Sequence, residues 1–286
     1  MKSIYGTGVA LITPFNNSNE VDFDGLTKLL SHTAKGVDYY VVHGTTGESA
    51  TTSPSEKKTI LQHIINNNPN KLPIVAGIGG NNTYGVIETI KNTDLTGIDA
   101  VLSVAPYYNK PSQKGIIAHF TKIANESPVP IILYNVPERT SSNILASTTI
   151  ELSKHTNIIG IKEASGSIEQ AIEIHKNTDD DFLLISGDDM LTPTLMSVGA
   201  VGVISVLANA FPEIFRKVIS HANNKSLEEA EIIIKQLANI NPLMYEEGNP
   251  VGIKEVLRQI EICSNNVRLP LLPASNDLSK RIKALL

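Results

Sequence analysis

The sequence predicts an α/β protein, and within that class a (β/α)8 (TIM) barrel with a C-terminal helical extension. Three observations carry this reading. Short β-branched runs alternate with amphipathic helical runs eight times in about 220 of the 286 residues. Each strand run is almost continuously apolar, as parallel strands covered on both faces require. After about Asn224 the strands stop and only helical runs follow. Alternation alone does not prove closure, so an open doubly wound sheet is the second candidate. Eight units in that length suit the barrel better. The division that follows is a barrel over residues 1–224 and a helical region over 225–286.

The strand candidates, in order, are Gly8–Ile12, Tyr39–His43, Ile74–Gly77, Ala100–Val104, Ile131–Asn135, Ile158–Lys162, Phe182–Ser186 and Gly202–Val206. Helices between them have recognisable starts. Ser53-Pro54-Ser55-Glu56 is a capping box with proline at the first helical position, and Ile60, Leu61, Ile64 and Ile65 share one face behind it. Ser167-Ile168-Glu169-Gln170 repeats the logic, with Ile168 and Ile172 facing inward. Ile116, Phe120 and Ile123 form the core stripe of the helix after Pro111. Ser226–Leu237, Val251–Ile260 and Asn276–Leu285 are the helices of the extension.

Composition excludes several function classes. The net charge of −5 leaves no basic footprint for nucleic acid. A single cysteine, Cys263, forbids an internal disulfide and fits a reducing cytoplasm. No C-x-x-C or H-E-x-x-H spacing occurs and the seven histidines are scattered, so no metal site is expected. Lys2 and the short apolar run broken by Gly6, Gly8 and Pro14 read as a first strand, not a signal peptide. No apolar stretch approaches the ~18 residues of a membrane span.

The stretch Ile158-Ile159-Gly160-Ile161-Lys162-Glu163-Ala164-Ser165-Gly166 stands out. It is an apolar strand that ends on a lysine. Taken alone, such a lysine most often turns out to water. The sharper reading is a catalytic amine, because a desolvated lysine forms a Schiff base with a carbonyl substrate. The neighbouring strand ends decide between them. In such a barrel, chemistry sits where strands end. Those ends supply Gly44-Thr45-Thr46-Gly47-Glu48-Ser49, Pro106-Tyr107-Tyr108-Asn109, Tyr134-Asn135-Val136-Pro137-Glu138-Arg139-Thr140, Gly187-Asp188-Asp189 and Ile204-Ser205. Forming a carbinolamine and expelling water moves protons, and linked hydroxyls of Tyr134, Thr45 and Tyr108 can carry them. Arg139 offers a planar fork to a substrate carboxylate. The Gly44–Gly47 loop lets backbone N–H groups approach a small anion.

Each residue also has an ordinary reading. Tyr134 can be a core plug, Thr45 a turn residue, Tyr107 and Tyr108 packing surface, and Arg139 the partner of Glu138. Asp188 and Asp189 read as a helix cap and first-turn acid rather than a metal site. Glu48 and Glu163 read as hydrogen-bonding partners rather than general bases. Gly77-Ile78-Gly79-Gly80 lacks the third glycine and the acid of a dinucleotide fingerprint, and is assigned to close backbone approach. An amine, three hydroxyls and a guanidinium on one rim make the joint accident improbable.

Three motifs then resemble one family: Gly44-Thr45-Thr46-Gly47-Glu48, Tyr134-Asn135-Val136-Pro137 with Arg139-Thr140, and Gly160-Ile161-Lys162-Glu163-Ala164. They are similar to the dihydrodipicolinate synthase family of pyruvate-dependent class I aldolases and lyases, over essentially the whole chain. The resemblance implies a Schiff base between Lys162 and pyruvate, with Tyr134 moving protons there. It implies that Thr45 links Tyr134 to Tyr108, which reaches in from a neighbouring subunit of a homotetramer made of two tight dimers. Thr45 and Thr46 would hold the pyruvate carboxylate, with the Ile204 backbone and Gly187 lining the substrate pocket. Arg139 would guide L-aspartate 4-semialdehyde by its carboxylate. The activity implied is a lyase reaction opening lysine (diaminopimelate) biosynthesis, with no cofactor. Sister enzymes acting on N-acetylneuraminate or 2-keto-3-deoxy sugar acids share the lysine and the Tyr-Asn-x-Pro turn, and Arg139 favours the synthases. A non-catalytic binding or regulatory barrel is the rival of another class. Ser141 stands where many members carry glycine, so a local adjustment beside Arg139 is expected.

The same resemblance implies a remnant of a feedback site for L-lysine near Ser49, Ala50, Asn81 and Tyr107. Matching positions that complete that site elsewhere hold Pro54, Lys57 and Gly85 here. A site that gains an ammonium and loses a carboxylate repels a diamino acid, so inhibition by lysine is expected to be weak or absent.

Overall fold

A computed structural model of the chain describes residues 4–286, so Lys2 and its neighbours lie outside the described residues. Eight parallel strands close on themselves in sequence order: β1 (Gly6–Ala10), β2 (Tyr39–Val42), β3 (Ile74–Gly77), β4 (Ala100–Val104), β5 (Ile131–Asn135), β6 (Ile158–Glu163), β7 (Leu183–Ser186) and β8 (Gly202–Ser205). Pairing of Gly6 with Gly202 through Val9 with Ser205 shuts the cylinder. Closure rules out the open sheet.

The helices around it are α1 (Phe23–Thr33), α2 (Pro54–Asn67), α3 (Thr83–Asn92), α4 (Gln113–Glu126), the short α5 (Pro137–Thr140), α6 (Ala146–Ser153), α7 (Ile168–Asn177), α8 (Thr192–Ser197) and α9 (Pro212–Asn223). The extension adds α10 (Leu227–Lys235), α11 (Val251–Gln259) and α12 (Asn276–Lys283).

Strand alternation sorts the core into two shells. Val41, Val75, Leu102, Ile132, Ile185 and Ile204 fill the cylinder. Val9, Val42, Val101, Leu133 and Ile161 face outward onto helix residues such as Leu29, Ile60 and Phe120. Each such large apolar side chain contributes about 1.5–3 kcal/mol by leaving water. α11 joins the outer shell through Val251, Ile253, Val256 and Leu257, so the extension packs into the barrel's own core.

Local signals hold where they rest on short-range chemistry. The Ser53 hydroxyl accepts from the Glu56 N–H, and the Glu56 carboxylate accepts from the Ser53 N–H at 2.8 Å. At α7 only half of the expected box forms. Ser167 accepts from the Gln170 N–H, but the Gln170 side chain turns to Glu163 instead. The buried face of α7 is Ala171 and Ile174, with Ile168 and Ile172 only half-buried. The first strand lies two residues earlier than expected. The Ile12 N–H is taken by the Asn209 side chain at 3.1 Å, which ends ladder pairing before Ile12.

Candidate active site

β5 and β6 build the centre. Their register sets Tyr134 opposite Lys162 and Asn135 opposite Glu163. Alternation then points Tyr134 and Lys162 into the barrel and their neighbours outward. Lys162 is only 5 % exposed, so the amine does not turn out to water. Its Nζ lies 4.5 Å from the centroid of the Tyr134 ring. A dry amine packed on the ring of a tyrosine is an arrangement that can serve nucleophilic amine chemistry.

The loop after β2 borders this centre. Thr45–Gly47 forms a single 3₁₀ turn. Thr46 is buried, and its hydroxyl accepts from the Asn249 side chain at 3.1 Å. Thr45 is exposed in the single chain and, with Tyr134, lines a cavity of about 570 Å³. That volume is in the range of small-molecule sites. The cavity runs on past Ser49, Ala50, Lys57 and Tyr107 to Arg268 and Leu271. Asn81 borders the same region, donating from its side chain to the Tyr107 carbonyl at 3.0 Å. Burial lowers the pKa of Lys57, and it pushes His43, which lines the same cavity, down to about 4.

Other expected residues are placed less centrally. Arg139, on α5, is exposed and forms no ion pair with Glu138 or any other described residue. The following Ser141 adopts φ of 53°, a left-handed conformation that glycine would adopt without cost. Tyr108 is 89 % exposed, so within this chain it is not brought to Thr45. Ile204 is buried at the end of β8. The Gly187 N–H is already donated to the Glu163 carbonyl at 2.7 Å, so it is not open to a ligand. A Cβ on Gly187 would sit 2.5 Å from that of Ala164, which explains the glycine. Gly77 is likewise a close approach: a Cβ there would lie 2.4 Å from the His43 carbonyl oxygen.

The two aspartates divide the work differently from a cap and a first-turn acid. Asp188 accepts from the Met190 and Leu191 N–H groups just before α8. Asp189 instead crosses to the end of β8 and accepts from Val206 and Leu207. Burial pushes Asp189 up to about 6, against the opposing pull of hydrogen bonds from Ser205 and the Leu207 N–H and of nearby Lys162.

Sequence reasoning missed the contribution of the extension. Tyr245 lies within electrostatic reach of Asp189, Asp188, Arg139 and Tyr134, and desolvation raises its pKa. Asn249 holds Thr46. Lys254 is fully buried in α11 and pairs with Glu48 at 2.5 Å, while Arg268 donates its N–H to the other Glu48 oxygen at 2.9 Å. Both cations cover the Phe15 ring, at 4.3 and 4.2 Å. Glu48 follows Thr45-Thr46-Gly47 directly, so this cluster bolts the site loop to the extension. One signal for it was visible: a lysine inside the apolar run Val251-Gly252-Ile253-Lys254-Glu255-Val256-Leu257 is the same anomaly as Lys162.

Comparison with known proteins points to one family. The sequence matches the model of the dihydrodipicolinate synthetase family over residues 3–286. It is 51 % identical over 284 residues to the 4-hydroxy-tetrahydrodipicolinate synthase of Cytophaga hutchinsonii, covering 99 % of this chain and 96 % of that protein. Among solved structures, dihydrodipicolinate synthase from Cyanidioschyzon merolae with lysine bound superposes with a TM-score of 0.95 at 37 % identity, covering 100 % of this chain and 98 % of the other. The Acinetobacter baumannii enzyme complexed with pyruvate gives 0.95 at 35 % identity, covering 99 % and 98 %. The chain belongs to the dihydrodipicolinate synthetase family.

Proposed function

We propose that this chain condenses pyruvate with L-aspartate 4-semialdehyde, the 4-hydroxy-tetrahydrodipicolinate synthase reaction of lysine biosynthesis, through a Schiff base on Lys162. The observation that carries the reading is the buried Lys162 amine packed on Tyr134 at the C-terminal rim of the barrel. Relatives bearing that activity in their names, at 51 % and 45 % identity over nearly full length, support the choice of reaction.

Pyruvate enters first. The neutral Lys162 amine attacks its ketone carbon, and Tyr134 delivers the proton that lets water leave. The protonated imine then gives up a methyl proton and becomes an enamine. Its carbon attacks the aldehyde of the second substrate. The amino group of that substrate displaces Lys162, which closes the ring and frees the enzyme. Thr45 and Thr46 take the pyruvate carboxylate, beside the Ile204 backbone. Among described residues the Thr45 and Thr46 N–H groups make no backbone hydrogen bond, which suits that role. Arg139, unpaired at the rim, takes the semialdehyde carboxylate. Tyr108, exposed in its own chain, completes the hydroxyl relay from a neighbouring subunit of a homotetramer. A cytoplasmic setting fits a biosynthetic enzyme with one cysteine. No helix among the described residues is long and apolar enough to cross a membrane.

The test is a comparison of aldehydes in a pyruvate-coupled assay. The reading predicts turnover of aspartate 4-semialdehyde, with its KM raised in Arg139→Leu. Turnover of sugar-derived aldehydes or N-acetylmannosamine in its place would overturn it.

A further inference from the structure

Behind the catalytic pair, on the outer face of the same two strands, lies a buried carboxylate that the mechanism does not use. Glu163 is 2 % exposed and forms no ion pair with a described residue. Removing a carboxylate from water without a cation is costly unless hydrogen-bond donors replace the solvent. Here neutral donors do so. Oε1 accepts from the Ser165 N–H at 2.6 Å and from Asn135 Nδ2 at 3.2 Å. Oε2 accepts from Gln170 Nε2 at 2.9 Å and from Asn135 Nδ2 at 3.1 Å.

The network closes into a ring. Asn135 Nδ2 also donates to Asn143 Oδ1 at 2.7 Å, and Asn143 Nδ2 donates to Gln170 Oε1 at 3.0 Å. Asn135 Oδ1 accepts the Ile144 N–H at 2.9 Å. The ring therefore grips both ends of the segment 136–142, whose base is Asn135 on one side and Asn143 with Ile144 on the other. That segment carries Arg139. Asn135 follows Tyr134, and Glu163 follows Lys162, in paired register. One carboxylate thus joins the strand of the amine to the strand of the phenol, and through Asn135, Gln170 and Asn143 it reaches the base of the guanidinium arm. Ladder pairing already joins β5 to β6, so the sheet alone does not call for this charge.

Resting on the function proposed above, we propose that Glu163 is a positioning residue: its ring with Asn135, Asn143 and Gln170 sets the Arg139 arm and Tyr134 against Lys162. It acts through those residues and does not touch substrate. Misplacement by about 1 Å far from the reacting atoms costs up to about 100-fold, so the second substrate, which needs the arm, is where the loss appears.

Glu163→Gln tests this with almost no change of shape. The ring presents donors to both oxygens, so the new amide sets a donor against a donor whichever way it turns. The paired variant Asn135→Asp with Glu163→Gln reverses donor and acceptor, and flips of the Asn143 and Gln170 amides restore the ring, except for the 3.2 Å contact between residue 135 and Oε1, the oxygen that keeps the Ser165 N–H. Three readouts are taken: borohydride trapping of pyruvate on Lys162, kcat/KM for the semialdehyde, and Tm. Glu163→Gln should still trap pyruvate to completion while kcat/KM for the semialdehyde falls by about 10–100-fold, and the paired variant should recover most of it. If Glu163→Gln does not fold, Gln170→Ala removes one donor and should give the same pattern at about 3–10-fold. Wild-type kinetics in the single variant would overturn the proposal. So would a loss that follows Tm, strikes trapping equally and is not recovered in the paired variant. Failure of the unmodified enzyme to trap pyruvate would instead overturn the functional reading, and this proposal with it.

Discussion

Lys254→Met removes one half of the charge pair that ties the Thr45–Gly47 loop to the extension. Lys254 is fully buried and Glu48 is nearly so, with 2.5 Å between Nζ and Oε1. Methionine nearly fills the space but leaves the Glu48 carboxylate buried without its cation. Only the Arg268 N–H at 2.9 Å remains among its hydrogen bonds. Breaking a buried pair from one side costs about 3–5 kcal/mol. For a chain of this size each kcal/mol lowers Tm by about 2–3 °C, so a fall of roughly 6–15 °C is expected. Calorimetry or dichroism during heating reads it. Glu48→Gln combined with Lys254→Met withdraws the stranded charge and should regain at least half of the loss, because the penalty lies in the unpaired ion. The loop should also loosen around Thr45 and Thr46, so the KM for pyruvate rises in the single variant and partly recovers in the double. A fall below about 1 kcal/mol in Lys254→Met, or two variants that simply add, would refute the reasoning.

Three further outcomes follow from the site. Tyr134→Phe keeps the ring over Lys162 but loses the proton-transferring hydroxyl, so turnover should drop by about 10²–10⁴-fold while pyruvate still binds; full activity would end the relay assignment. L-lysine should inhibit weakly or not at all, because Lys57 lines the cavity beside Ser49, Ala50 and Tyr107; half-inhibition below millimolar lysine would contradict this. Burial pushes His119 down to about 4 from an ordinary 6.5, so the folded state resists a proton that the unfolded chain accepts. Stability is then full above about pH 6.5 and falls as the pH drops toward 4, by up to about 3 kcal/mol for this residue. Denaturant titrations across that window should show a shallower fall in His119→Leu, and parallel curves would refute the assignment.

Short-range patterns made most of the fold readable. Apolar runs gave the eight strands, and the capping box at Ser53 formed as its spacing demands. Errors arose where distant residues compete for a local group. Asn209, from the far side of the chain, takes the Ile12 N–H and shortens the first strand. Glu163 draws the Gln170 side chain away from its helix start. The paired Lys162 and Tyr134 were legible because a strand end and its alternation suffice to place them. Tyr245, Asn249 and Arg268 were not, since docking of a helical extension onto a barrel rim leaves no periodic trace. Lys254 lies between these cases, flagged by apolar neighbours but without a visible partner in sequence.

Incubation with pyruvate and borohydride, followed by intact mass and peptide mapping, tests the Schiff-base claim most directly. One irreversible pyruvate-derived adduct, on Lys162 and absent from Lys162→Ala, is the predicted result. An unmodified protein, or an adduct on another lysine, would contradict it.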